Sequence, residues 1–154
     1  MKQTIIAGIG NDGMQDELAG LYLLHQLKRN LPNSIFNFYN LGNNLLNLTK
    51  FYRNEKNILL LTAGFLNKKP GEFEVFPLEK ISDYENLIGI SPQLIEDLHK
   101  KNPDIKKTKI WVLALQEKWN EWGHELSPEI AQAIKQIVHI FWHILETLNF
   151  IGRK

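Results

Sequence analysis

The sequence predicts an α/β fold, a three-layer α/β/α sandwich around a mostly parallel sheet. Three observations carry that expectation. Apolar runs of strand length alternate with segments of helical periodicity along the chain, which implies crossover units. The run Ile58 to Leu61 is apolar at every position, as in a strand covered on both faces rather than one. Ser91-Pro92 and Ser127-Pro128 each open a helical pattern with a capping hydroxyl and a proline at the first helical position.

Taken in order, residues 4–7 (TIIA) are β-branched and apolar and end at Gly8, which reads as a short buried strand. Gly8, Gly10 and Gly13 form a turn, and Leu18, Leu21, Leu24 and Leu27 then recur at helical spacing. Pro32, Asn33 and Ser34 end that helix, and Ile35, Phe36 and Phe38 suggest a second strand. Leu45, Leu46, Leu48 and Phe51 suggest a second helix that ends near Asn54. After the Ile58–Leu61 strand, a Pro70-Gly71 turn leads into an alternating segment around Phe73 and Val75, a strand at a sheet edge. A helix from Pro92 to about Lys101, a strand from Ile110 to Leu115 and a helix from Pro128 to about Phe150 complete the pattern. One domain spanning residues 1–154 is expected. In such a fold a ligand lies outside the carboxyl ends of the strands, so the loops after residues 7, 40, 61 and 90 are the places to search.

Composition removes several functions. With no cysteine among its 154 residues, the chain has no disulfide framework, no thiol nucleophile and no thiolate metal site. Its 18 basic and 17 acidic residues nearly balance, which argues against a nucleic-acid partner. No run approaches the ~20 apolar residues of a membrane span, and the apolar start after Met1-Lys2 is too short for a secretory signal. A cytoplasmic protein without membrane or nucleic-acid partners is the expectation.

Gly8-Ile9-Gly10-Asn11-Asp12-Gly13 matches the dinucleotide pattern G-x-G-x-x-G literally. That chemistry requires an acidic residue about twenty positions on for the ribose, and no Asp or Glu stands between Glu17 and Glu55. Asp12, Asp16 and Glu17 would also repel a phosphate. The same three carboxylates suit a cation better, while Asp16 and Glu17 have a plainer role in favouring the positive end of the following helix.

The order Ile9-Gly10-Asn11, Asp16-Glu17, Gly20, then the Ile58–Ala63 strand, Pro70-Gly71, Ile90-Ser91-Pro92-Gln93-Leu94 and Gly123-His124-Glu125-Leu126-Ser127-Pro128 resembles the hydrogenase maturation protease family over nearly the whole chain. The resemblance implies a phosphorylase/hydrolase-like α/β/α enzyme, an endopeptidase that removes a C-terminal extension from a nickel–iron hydrogenase large-subunit precursor. It implies three residues that contact the precursor's nickel, and these fall on Glu17, Thr62 and Gln93. The family has Glu, Asp and His there, so two of the three positions are replaced, the last by Gln93 or by a deletion. Neutral hydroxyl and amide groups are poor nickel ligands beside carboxylate and imidazole. Tyr39-Asn40-Leu41-Gly42 likewise stands where the family has an acidic, glycine-rich turn tied to partner recognition. Asn11, Asp12, Asp16, Asn40 and Gly42 are therefore the expected binding residues around a degenerate nickel-recognition site. No cofactor is expected to stay bound, because the nickel belongs to the substrate protein. No nucleophile or general base is assigned. The reading that emerges is a protein that binds, and on the protease reading cleaves, a hydrogenase precursor or a related metalloenzyme. The alternative is a non-catalytic assembly or chaperone-like factor on the same scaffold.

Other candidates have plainer readings. His139 and His143 are spaced i, i+4, but they fall opposite the apolar stripe, beside Gln132 and Gln136. His99 lies nearly two helical turns from the loop at Gln93. Ser127 lacks a neighbouring base and reads as a cap, and His124-Glu125 lacks a second histidine at metal spacing. Trp119 and Trp122, in a segment read as a loop, suggest either a contact hot spot or a cover over the sheet edge.

Overall fold

A computed structural model describes residues 2–152. The strands are β1 (Thr4–Gly8), β2 (Phe36–Asn40), β3 (Asn57–Phe65), β4 (Phe73–Pro77), β5 (Asn86–Leu87) and β6 (Lys109–Gln116). The helices are α1 (Ala19–Asn30), α2 (Pro92–Lys101) and α3 (Pro128–Thr147). The sheet runs β2-β1-β3-β6-β4, parallel from β2 to β6, with β4 antiparallel on β6 and β5 antiparallel on β3. The mostly parallel α/β fold is therefore as the sequence predicts.

The uninterrupted apolar strands follow from burial on both faces. Ile5, Ala7, Ile58, Leu60, Val112 and Ala114 point to one face, where they meet Leu98 of α2 and the 3-10 helix Leu45–Lys50. Ile6, Leu59, Leu61, Leu113 and Leu115 point to the other, against α1 and α3. On that side Phe36 of β2 meets Trp142 of α3 edge-on, with ring centroids 6.1 Å apart. Among the described residues no helix is long and apolar enough to cross a membrane.

Both proline-started helices form as expected, with the Ser91 hydroxyl accepting from the N–H of Leu94 and the Ser127 hydroxyl accepting from that of Ile130. Two expectations are corrected and one element is added. The second helix is only the 3-10 helix Leu45–Lys50: Leu45 and Leu48 are its buried residues, a spacing of three that suits a 3-10 turn. Asn54 beyond it has φ of 65°, where a helix cannot continue. Two-residue β5, which no periodicity could signal, pairs Leu87 with Gly64. α3 stops at Thr147, and Asn149 takes a positive φ of 60° just after it.

What positions the candidate site is the switch between β1 and β3. The chain leaves β1 for β2 by way of α1 on one face, then crosses back to β3 by way of the 3-10 helix on the other. The two connections part above the carboxyl ends of these strands and open a crevice. α1 sits close over that point: a Cβ on Gly20 would lie 2.3 Å from the Ile9 carbonyl oxygen and 2.4 Å from that of Leu61. Only glycine admits so close an approach.

Candidate functional site at the strand ends

A cleft of about 700 Å³ opens beyond β1 and β2. Its polar wall includes Asn11, Asp12, Asn40, Gly42 and Asn43; its apolar wall includes Met14, Leu18, Leu21, Tyr22 and Trp122. Four of the expected binding residues, Asn11, Asp12, Asn40 and Gly42, thus converge. Asn40 shapes its own loop, its side-chain oxygen accepting from the Gly42 N–H at 2.8 Å. Glu17 stands behind this wall, half-buried, with its carboxylate accepting from the Asn11 amide at 2.7 Å.

The glycine loop spends its donors on the protein. Ile9 N–H donates to Leu61, Gly10 N–H to Gly42 and Asn11 N–H to Glu17, all at 2.8–2.9 Å. Those amides cannot also cradle a phosphate. The glycines serve close packing instead, since a Cβ on Gly10 would meet the Glu17 carbonyl oxygen at 2.6 Å.

Asp16, expected among the binding residues, is placed otherwise. It is fully buried, and its carboxylate accepts from the N–H groups of Lys118, Trp119 and Ser127 and from the Ser127 hydroxyl, at 2.7–2.8 Å. With Oδ2 accepting three of these bonds and Oδ1 the fourth, the buried carboxylate is committed to the protein and closed off from a ligand in the cleft. It is a clasp that ties the β1 loop to the segment after β6 and to the start of α3. Ser127 is correspondingly more than a cap, since its hydroxyl donates to Asp16 while accepting from Ile130.

Thr62 and Gln93 do not line the cleft. Thr62 is fully buried, and its hydroxyl donates to the Ile88 carbonyl at 2.8 Å. The segment over it is itself pinned, with Ile88 N–H donating to Ala63 and Leu45 N–H donating to Gly89, both at 2.9 Å. The replacement thus has a local logic. A hydroxyl can donate to Ile88, whereas an ionised carboxylate could only accept and would face a second acceptor. Gln93 is exposed on the first turn of α2, where its amide donates to Asp97 at 3.0 Å. The nickel-contacting positions implied by the resemblance are therefore three separate environments: an anchored carboxylate, a sealed hydroxyl and a surface amide.

Glu117, the residue after β6, is one that sequence reasoning misses. Its carboxyl Oε2 is shielded from solvent and has no hydrogen-bond partner among the described residues, while Oε1 has the Asn120 amide at 3.4 Å. Burial, and then the charge of Glu17, push its pKa above the ordinary carboxylate value; Asp16 adds to the shift and Asn120 opposes it. Its signal in the sequence, a Gln-Glu pair closing an apolar strand, was too common to be read.

The remaining candidates lie elsewhere. His139 and His143 are exposed on α3, and His99 lines a separate cavity of about 350 Å³ between α2 and the start of β6. Among the described residues, no group of three or more histidine or acidic side chains is arranged to hold a metal ion.

No family model matches the chain, and no curated protein does. Solved structures do. The NiFe hydrogenase maturation protease HybD from Thermococcus kodakarensis superposes with a TM-score of 0.74 at 24% identity, covering 94% of this chain and 99% of that one. The hydrogenase maturating endopeptidase HybD from E. coli gives 0.76 at 18% identity, with 96% and 93% covered. The fold is that of the hydrogenase maturation proteases. A hydrogenase 2 maturation peptidase from Thaumarchaeota archaeon SCGC_AB-539-E09 shares it, at a TM-score of 0.66 and 19% identity over 96% of this chain and 98% of that one.

Three outcomes follow for stability. Asp16→Ala strands four donors and should cost about 3–5 kcal/mol, the scale for breaking a buried charged network, in a urea titration. Thr62→Asp should lower the urea midpoint more at pH 7 than at pH 4, because the buried acid is tolerated only when protonated. Glu117→Gln should do the opposite. A carboxyl with a raised folded pKa loses stability as pH rises from the unfolded pKa through the folded one. The glutamine variant should therefore melt higher than the parent at pH 7, with the gain shrinking by pH 4.

Proposed function

We propose that the protein binds the large-subunit precursor of a nickel–iron hydrogenase, or a related metalloenzyme precursor, in the strand-end cleft, with a degenerate nickel-recognition site. The observation that carries this reading is Glu17, held by the cleft-lining Asn11 from just behind the cleft wall, in a fold shared with maturation proteases. Nickel enters as part of the substrate, and Glu17 is the one charged group of the implied set that remains to meet it. Cleavage of a C-terminal extension is the enzymatic form of the proposal.

The second reading, an assembly factor that holds the precursor without cutting it, is favoured by Thr62. Its hydroxyl is committed to Ile88 and lies under a pinned segment, so the position that would report the metal is closed. A protein with that position closed can hold a partner by shape without testing its metal content.

Incubation with a nickel-loaded precursor separates the two, following loss of the C-terminal peptide by mass spectrometry and complex formation by size exclusion. The enzymatic form expects peptide release that Glu17→Gln abolishes. A complex without peptide release, formed equally with the metal-free precursor, establishes the assembly reading. Absence of any complex overturns both.

A further inference from the structure

Trp122 is 86% exposed, while Trp119 is only 36% exposed. A lone exposed aromatic is ordinary, but this one continues an apolar cleft wall, and a contiguous apolar surface of that kind marks a place for a partner. The Trp122 loop is sewn to the β1 loop: Gly123 N–H donates to Gly13 at 2.8 Å, Gln15 N–H to Gly123 at 3.0 Å and Asp16 N–H to Trp119 at 2.8 Å. Glu121 N–H reaches the Gln15 side chain at 3.2 Å, and the Asp16 clasp closes the same segment from beneath. The backbone that carries the indole is therefore fixed before any partner arrives, which lowers the ordering cost of a contact.

Around it the cleft divides by chemistry. Met14, Leu21 and Tyr22 continue the apolar surface from Trp122, and Asn11, Asn40 and Asn43 face them with amides. The Asn43 side chain and the Asn40 amino group make no hydrogen bond among the described residues, so paired donors and acceptors are free for a polypeptide main chain. The charge is one-sided. Asp12 lines the cleft, with Glu17 and Glu117 behind it and Glu121 beside Trp122; His25 is the one basic side chain lining it among the described residues. Lys118 is engaged by Glu129 at 2.5 Å, and His124 stands 3.8 Å from Asp12 with both side chains 81% exposed, a contact of little strength.

We infer that this cleft is a docking site for an extended polypeptide segment carrying a bulky apolar side chain against Trp122 and an adjacent cationic side chain toward Asp12. The inference names the chemistry of the segment for the cleft of the proposed function, and it rests on the reading that the protein handles a polypeptide.

Peptides test it without any precursor. The probes are fluorescein-labelled Gly-Ser-Gly-Phe-Lys-Gly-Ser, its Phe-to-Ala version and its Lys-to-Glu version, titrated by anisotropy against the full chain. The Phe-Lys peptide should bind, and each altered version should bind about tenfold more weakly or worse. Trp122→Ala should weaken the Phe-Lys peptide to a similar extent with the urea midpoint unchanged, whereas Ile140→Ala, an exposed apolar residue on α3, should leave binding as it was. Asp12→Asn should remove the preference for Lys over Glu while keeping that for Phe over Ala. Equal binding of the Lys and Glu peptides, indifference to Trp122→Ala, or no binding of any peptide overturns the inference. None of these results depends on whether a hydrogenase precursor is the partner, so a negative precursor assay leaves the peptide result to be judged by itself.

Discussion

The Asp16 carboxylate is the constraint on which the candidate site depends. One buried charge collects three backbone N–H groups and a hydroxyl, and these come from residues 118, 119 and 127. Desolvating a carboxylate costs several kcal/mol, and only such complete pairing makes it tolerable. The consequence is geometric. The loop after β1 lies 102–111 residues from the connection after β6 and the start of α3 that follows it, yet the carboxylate ties them together. Trp122 on one side of the cleft and Asn11 on the other are held in register by a group that neither touches.

Close packing around the same loop explains the glycines. Gly10 and Gly20 let α1 descend onto the carboxyl ends of β1 and β3, and the loop's amides are consumed by Leu61, Gly42 and Glu17. A pattern that reads as a phosphate cradle is here a device for bringing Glu17 and Asn11 to the crevice. The departure at Thr62 belongs to this tightening. A neutral donor meets the Ile88 carbonyl where an acid would meet it with a second acceptor, so the local sequence and the closed loop suit each other.

Glu117 breaks the pattern of satisfied groups. Its orphaned oxygen, close enough to Glu17 for the two charges to interact, is a local cost at the edge of the crevice that the rest of the fold supports. Proteins accept such costs mainly near sites where chemistry or binding takes place. The cleft thus combines a rigid frame with an unrelieved electrostatic element.

Much of the fold was legible in the sequence because periodicity reports burial directly. Apolar runs at 4–7, 58–61 and 110–115 are strands covered on both faces, and Ser-Pro pairs start helices through local capping that needs no partner. The convergence of Asn11, Asp12, Asn40 and Gly42 also followed, since a parallel sheet gathers its carboxyl-end loops whatever their composition. What sequence could not determine were pairings across long separations. Asp16 reads as a helix-start carboxylate until Ser127 is seen beside it, 111 residues on. Thr62 reads as a lost ligand until the Ile88 carbonyl is found above it. Which polar groups are spent within the fold and which remain for a partner is a property of neighbours in space, and only the tertiary structure decides it.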